Sequence, residues 1–170
     1  MPYTAVSVGW GWTVETTPLK DNLIRRNRVH NVMRLLSDGG GIYTLSKQPG
    51  TIIAENYIFD IVRSEWAGEF PISAIYLDEG SSLITLTNNV IENVPVGIDL
   101  HEAEYNTVIN NMERYQGRAG SSYNDFIRKD FTGFLADRAI IKNNAGINQA
   151  SISLDYISTL PSHHPNLAHN

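Results

Sequence analysis

The sequence predicts a right-handed parallel β-helix of about five coils with loop insertions. Three observations predict it: a short phrase written five times, a column of asparagines inside that phrase, and a second aliphatic column out of phase with the first. The phrases are NLIRRNRVHNV (Asn22–Val32), TIIAENYIFDI (Thr51–Ile61), ITLTNNVIENV (Ile84–Val94), NTVINNMERY (Asn106–Tyr115) and AIIKNNAGI (Ala139–Ile147). Aligned, they set Asn27, Asn56, Asn89, Asn111 and Asn144 in one column, at intervals of 29, 33, 22 and 33 residues. Ile24, Ile53, Leu86, Val108 and Ile141 form another column. The out-of-phase column is Val6, Ile42, Ile75 and Ile98, spaced by 36, 33 and 23 residues.

Each repeat therefore holds at least two short strands around a tight bend. A coil of roughly 22 residues with three short faces satisfies this spacing, and the longer intervals are loops inserted at one corner. Asn suits the bend because its amide bonds neighbouring backbone groups and tolerates a left-handed φ. Stacked in register, the five amides should also bond along the column, so they read as scaffold. The aliphatic columns should be buried stacks.

Length and composition fit a single β-helix domain over residues 1–170, about 25 Å tall at ~4.8 Å per strand layer. Coils are expected at about 3–111 and 139–157, an insertion at 112–138 and a frayed tail at 160–170. Part of the insertion, with Phe126, Phe131, Phe134 and Leu135, reads as helical. The balance is mildly acidic, 13 Lys and Arg against 18 Asp and Glu. The cluster Arg25, Arg26 and Arg28 lies on alternate faces of a strand, which disfavours nucleic acid as a partner. No cysteine is present, so no thiolate site or disulfide framework is expected. No apolar run is long enough to span a membrane, and MPYTAVSVGWGW lacks the charged start of a signal peptide. Localisation stays open. The His163–His164 pair has no carboxylate at ligand spacing beside it, so neither a metal nor a cofactor is expected.

Function is expected where insertions break the repeat. Residues 33–41 (MRLLSDGGG) carry three successive glycines, and residues 62–73 (VRSEWAGEFPIS) carry two Glu, a Trp and a Phe. The runs SVGWGW (Ser7–Trp12), LLSDGGGIYTL (Leu35–Leu45), IYLDEGSS (Ile75–Ser82) and GIDLH (Gly97–His101) resemble bacterial right-handed β-helix glycoside hydrolases. The group they resemble is family 141, of α-L-fucosidases and xylanases, over about residues 5–111. That resemblance implies a catalytic pair at Asp38 and Asp78 and a poly- or oligosaccharide substrate. The family carries further coils ahead of this point, so the chain is expected to be a truncated module, weakly active or inactive alone.

Glycoside hydrolysis requires two carboxyl groups, about 5–5.5 Å apart for retention or about 6.5–9.5 Å for inversion. Adjacent coils supply such spacing, since column neighbours lie ~4.8 Å apart. The alignment stacks Asp78 over His101 and Glu79 over Glu102, with Leu45 and Ser46 in the coil before. If Ile75 and Leu77 point inward, Asp78 points outward. Asp38 precedes Ile42 while Asp78 follows Ile75, so a straight strand holds them apart and only a sharp bend at Gly39–Gly41 brings them together.

The candidate catalytic residues are thus Asp38, Asp78 and Glu79, and the candidate substrate-binding residues are Trp10, Tyr43, Tyr76, His101 and Glu102. Bland readings stand beside them. Asp38, Asp78 and Glu79 also suit turns, His101 also suits a structural partner of Asp78, and Trp10 and Trp12 also suit a cover for the first coil. The alternative function is a non-catalytic glycan-binding or self-associating β-helix fragment. Ice binding is disfavoured because the Thr-x-Thr form occurs only at Thr85–Thr87. A homodimer joined through the N-terminal coil is expected, since that coil exposes unpaired strand edges and apolar residues.

Overall fold

A computed structural model describes residues 1–115, 126–130 and 139–148. The chain winds as a parallel β-helix, three strands per coil. The first coil holds β1 (Val6–Val8), β2 (Leu23–Arg25) and β3 (Arg28–His30), and the second β4 (Gly39–Thr44), β5 (Ile52–Ala54) and β6 (Tyr57–Phe59). The third holds β7 (Ile72–Leu77), β8 (Thr85–Thr87) and β9 (Val90–Glu92). The fourth holds β10 (Val96–His101), β11 (Thr107–Ile109) and β12 (Met112–Tyr115), and the fifth β13 (Ile127–Asp130), β14 (Ile140–Lys142) and β15 (Ala145–Asn148). Every third strand joins the same sheet. Sheet A runs β1-β4-β7-β10-β13, and the other two run β2-β5-β8-β11-β14 (sheet B) and β3-β6-β9-β12-β15 (sheet C).

Register follows the aliphatic columns. Val6, Ile42, Ile75, Ile98 and Ile127 are successive partners in sheet A, and Ile24, Ile53, Leu86, Val108 and Ile141 in sheet B. Sheet C adds Val29, Ile58 and Ile91. These residues form one buried core, with Ile42, Ile53, Ile58, Ile75, Leu86, Ile91, Ile98 and Val108 wholly enclosed. Burying such apolar surface is the main stabilising term, because each coil covers the next.

The asparagine column closes the bend between sheets B and C. Side-chain amides donate to the next rung's Oδ1 at 2.9 Å (Asn27 to Asn56), 2.9 Å (Asn56 to Asn89), 2.8 Å (Asn89 to Asn111) and 3.0 Å (Asn111 to Asn144). The backbone N–H of each donor residue reaches the same oxygen at 2.9–3.1 Å. The left-handed residue, however, is not the ladder asparagine. It is the residue before it: Arg26, Glu55, Asn88, Asn110 and Asn143, with φ between 54° and 58°. The ladder asparagine makes the bonds and its predecessor makes the turn.

Two other expectations are corrected. The residues read as an insertion at 112–138 include two strands of the stack. Met112–Tyr115 pairs with β9 and β15, and Ile127–Asp130 pairs with β10, directly after Phe126, which is helical as expected. Phe131, Phe134 and Leu135, and the tail at 160–170, lie outside the described residues. The three glycines read as loop instead open β4. Arg25 and Arg26 both pair with Glu55, at 2.5 and 2.7 Å, and hold its carboxyl down at about 2. Arg28 lies over the rings of Tyr57 and Phe59. Among the described residues no helix is long and apolar enough to cross a membrane.

Candidate functional site

The outer face of sheet A carries the chemistry. Alternation turns Ile75 and Leu77 into the core, both fully buried, and sets Tyr76 and Asp78 on the outside. Tyr43, Tyr76, Asp99 and Arg128 are successive partners in one column. The same register, carried one residue past Leu77 and Leu100, sets Asp78 beside His101. The Gly80 N–H donates to the Glu102 carbonyl at 3.0 Å, in keeping with Glu79 lying over Glu102.

Sheet A keeps one register throughout, Gly39 and Gly40 pairing with Ile72 and Ser73 in the same offset that pairs Ile42 with Ile75. A β-carbon on Gly40 would sit 2.9 Å from the Ser73 carbonyl oxygen, 3.2 Å from that of Ile42 and 3.3 Å from the Tyr76 Cβ. One on Gly41 would sit 2.9 Å from the Ala74 oxygen and 3.0 Å from the Ile58 Cγ2. Glycine at both positions lets β4 pack this closely on β7 and the core. Asp38, at the entry to β4, and Asp78, at the exit from β7, line one groove.

The result is a groove of about 420 Å³ lined by Asp38, Glu69, Tyr76, Asp78, His101 and Arg128, with Trp12, Phe70, Pro71 and Glu79 completing it. Its rims are fixed by backbone contacts. The Ser46 hydroxyl lies 2.9 Å from the Trp10 carbonyl oxygen and 2.6 Å from that of Gly11, holding the turn that ends in Trp12. The Arg63 guanidinium donates to the Gly68 carbonyl and, at 2.6 Å, to that of Phe70. Trp12 and Phe70 stay 63% and 65% exposed, and they come from opposite ends of sheet A.

The two aspartates sit in different surroundings. Asp78 is buried and accepts a 2.5 Å hydrogen bond on Oδ2 from the Tyr43 hydroxyl. Asp38 has a left-handed φ of 61°. Its N–H donates to the Pro71 carbonyl at 2.9 Å, and its own carbonyl accepts from the Tyr3 hydroxyl at 2.5 Å. Its carboxylate meets only a long contact, 3.5 Å, from the Tyr76 hydroxyl. Burial, and next the charge of Asp78, push the Asp38 carboxyl above the usual aspartate range, against smaller lowering effects from Tyr76 and His101. Burial also pushes Asp99 up, although Arg128 Nε lies 3.0 and 3.1 Å from its two oxygens; loss of hydration outweighs the pairing there. The phenols of Tyr43 and Tyr76 are pushed far up, first by burial and then by the neighbouring carboxylates.

Five of the residues expected from the sequence line this groove: Asp38, Asp78, Glu79, Tyr76 and His101. Tyr43 does not; it is buried beneath, edge-on to Tyr76 at 5.5 Å between ring centres. Trp10 does not line it either; it is 86% exposed and so covers no coil end. Glu102 lies outside the lining. Glu69, Phe70 and Pro71 come from the 62–73 segment, where function was expected, although none was singled out; Arg128 was missed. Arg128 had a signal: FIRKD (Phe126–Asp130) aligns under GIDLH (Gly97–His101), which sets Arg128 in the Asp99 column. Asp78, Glu79 and His101 also offer oxygen and nitrogen atoms within 4.8 Å of one another, a spacing that suits a cation or a shared proton.

No protein-family profile matches the sequence, and no curated protein matches it. A solved structure described as a glycoside hydrolase superposes with a TM-score of 0.53 at 23% identity, over 85% of this chain and 18% of that one. That similarity shows the fold. The chain spans less than a fifth of the length of that structure.

Proposed function

We propose that the chain is a carbohydrate-active β-helix module of the glycoside hydrolase type, with the sheet A groove as its sugar site. The observation that carries this reading is the pair Asp38 and Asp78, two carboxyl groups in unlike surroundings facing one groove. Asp38, whose carboxyl burial and the neighbouring charge push above the usual aspartate range, takes the part of the general acid that protonates the leaving oxygen. Asp78 then acts as nucleophile or base on the other side of the sugar. Trp12 and Phe70 present apolar rings at the rims, suited to the faces of a sugar. The glycoside hydrolase fold and the resemblance to fucosidases and xylanases support neutral glycosides as substrates.

The test is release of nitrophenol from 4-nitrophenyl α-L-fucoside and β-D-xyloside, with weak turnover expected. Activity lost in both Asp38→Asn and Asp78→Asn supports the reading, and activity untouched by either removes those residues from the mechanism. A second reading is glycan binding without turnover, favoured by the two exposed rim aromatics and by the small share of the similar structure that this chain spans. Saturable sugar binding with no product would select it. The proposal extends to a homodimer joined through the first coil. Its strands β1, β2 and β3 are end strands of the three sheets among the described residues, and its Leu23 is 63% exposed.

A further inference from the structure

Tyr43 and Tyr76 are partners in one column, one coil apart, and each faces a different carboxylate. Their contacts differ in kind. The Tyr43 hydroxyl donates to Asp78 Oδ2 at 2.5 Å, a short bond between two buried groups. The Tyr76 hydroxyl only approaches Asp38, at 3.5 Å. A hydroxyl donating in a buried site is worth more than in water and is directional. It engages Oδ2 and so restrains the Asp78 carboxyl, which lines the groove. Tyr43 is itself held by its edge-on packing on Tyr76 and by Tyr3, 6.3 Å away between ring centres.

We infer that Tyr43 is a positioning residue for Asp78: it restrains the carboxyl at the groove and so reserves Asp78 for the proton-accepting or nucleophilic role. This inference rests on the glycosidase reading of the groove, and it removes Tyr43 from the substrate contacts. Tyr43 works from beneath, so its hydroxyl should matter for turnover and not for binding.

The experiment compares Tyr43→Phe with Tyr57→Phe in the whole chain. Tyr57 is a control of the same chemistry on sheet C, its hydroxyl donating to Glu92 Oε2 at 2.7 Å away from the groove. With the two nitrophenyl glycosides as substrates, Tyr43→Phe should lower kcat on the order of tenfold to a hundredfold, the range of a hydrogen bond to a charged group. KM should stay within about twofold, and Tyr57→Phe should leave both constants as in the wild type. A raised KM at unchanged kcat makes Tyr43 a substrate contact and overturns the inference. Wild-type kinetics in Tyr43→Phe, with Asp78→Asn dead, overturns it while the glycosidase reading survives. Full activity in Asp78→Asn sinks both. If neither substrate turns over, or Tyr43→Phe does not fold, proton NMR of the native chain decides. A slowly exchanging, downfield phenolic proton that vanishes in Asp78→Ala supports the bond, and its absence from the wild type refutes it.

Discussion

Deleting one amide from the middle of the asparagine ladder should cost far more than deleting one from its end. Asn89 is fully buried and makes four side-chain hydrogen bonds. Its Oδ1 accepts from the Asn56 backbone N–H at 3.1 Å and from the Asn56 amide at 2.9 Å. Its Nδ2 donates to the Ile53 carbonyl at 2.9 Å and to Asn111 Oδ1 at 2.8 Å. In Asn89→Ala the Asn56 N–H is stranded in a buried site, which costs about 1–3 kcal/mol. The Asn56 amide keeps its bond to the Ile24 carbonyl and Asn111 Oδ1 keeps the Asn89 N–H, so these groups and the Ile53 carbonyl lose one partner each. At about 0.5–1.5 kcal/mol apiece, the sum is about 2.5–7.5 kcal/mol. That is a large part of the ~5–15 kcal/mol that holds a typical domain. Asn27, at the exposed end rung, donates only to Asn56 Oδ1 and, at 3.3 Å, to the Arg25 carbonyl. Water replaces both donors, and Asn27→Ala should cost about 0.5–1 kcal/mol. Urea unfolding followed by circular dichroism measures both variants. Equal losses, or a loss below about 1 kcal/mol for Asn89→Ala, would refute the ladder as a stabilising element.

Three further outcomes are expected. Ile75→Ala empties a fully buried position between Ile42 and Ile98 and should cost about 2–5 kcal/mol in the same assay, and a loss under about 1 kcal/mol would contradict the inward column. Because folding raises the Asp38 pKa, its contribution to stability is present below the ordinary Asp pKa and is lost as pH rises through the raised value. Asp38→Asn should therefore gain on the wild type from acid to neutral pH, and a stability difference flat in pH would count against the burial and charge assigned to Asp38. Light scattering at micromolar concentration should give a dimer, and a stable monomer would rule out association through the first coil.

The coil architecture was legible because burial imposes a strict demand on sequence. Ile42, Ile75 and Ile98 must be aliphatic to fill one layer each, and the ladder asparagines must be amides to both donate and accept. The left-handed turn position was not legible, since Arg26, Glu55 and three asparagines fill it and share no single side-chain type. Strand β12 falls within the repeated phrase at Asn106–Tyr115, but Glu113, a buried carboxylate where the Ile58 and Ile91 column predicts an aliphatic, masked it as the start of an insertion. Strand β13 was hidden because its IRKD sequence holds one aliphatic of the core column, Ile127, and puts a lysine opposite Leu100. That Asp38 shares a groove with Asp78 was not legible, because Asp38 takes a left-handed φ just before β4 and nothing in the run SDGGG announces that turn.

The claim that Asp38 is the proton donor in a glycosidase groove is tested most directly by varying the leaving group. A general acid matters most when the departing oxygen is strongly basic, and little when it leaves as a stable anion. Rates for Asp38→Asn and Asp78→Asn, each against the wild type, are measured on aryl glycosides running from dinitrophenyl to unsubstituted phenyl. Asp38→Asn should lose little on the dinitrophenyl substrate and progressively more toward phenyl, while Asp78→Asn loses heavily on all of them. A loss in Asp38→Asn that is the same for every leaving group, or no loss in either variant, would contradict the account.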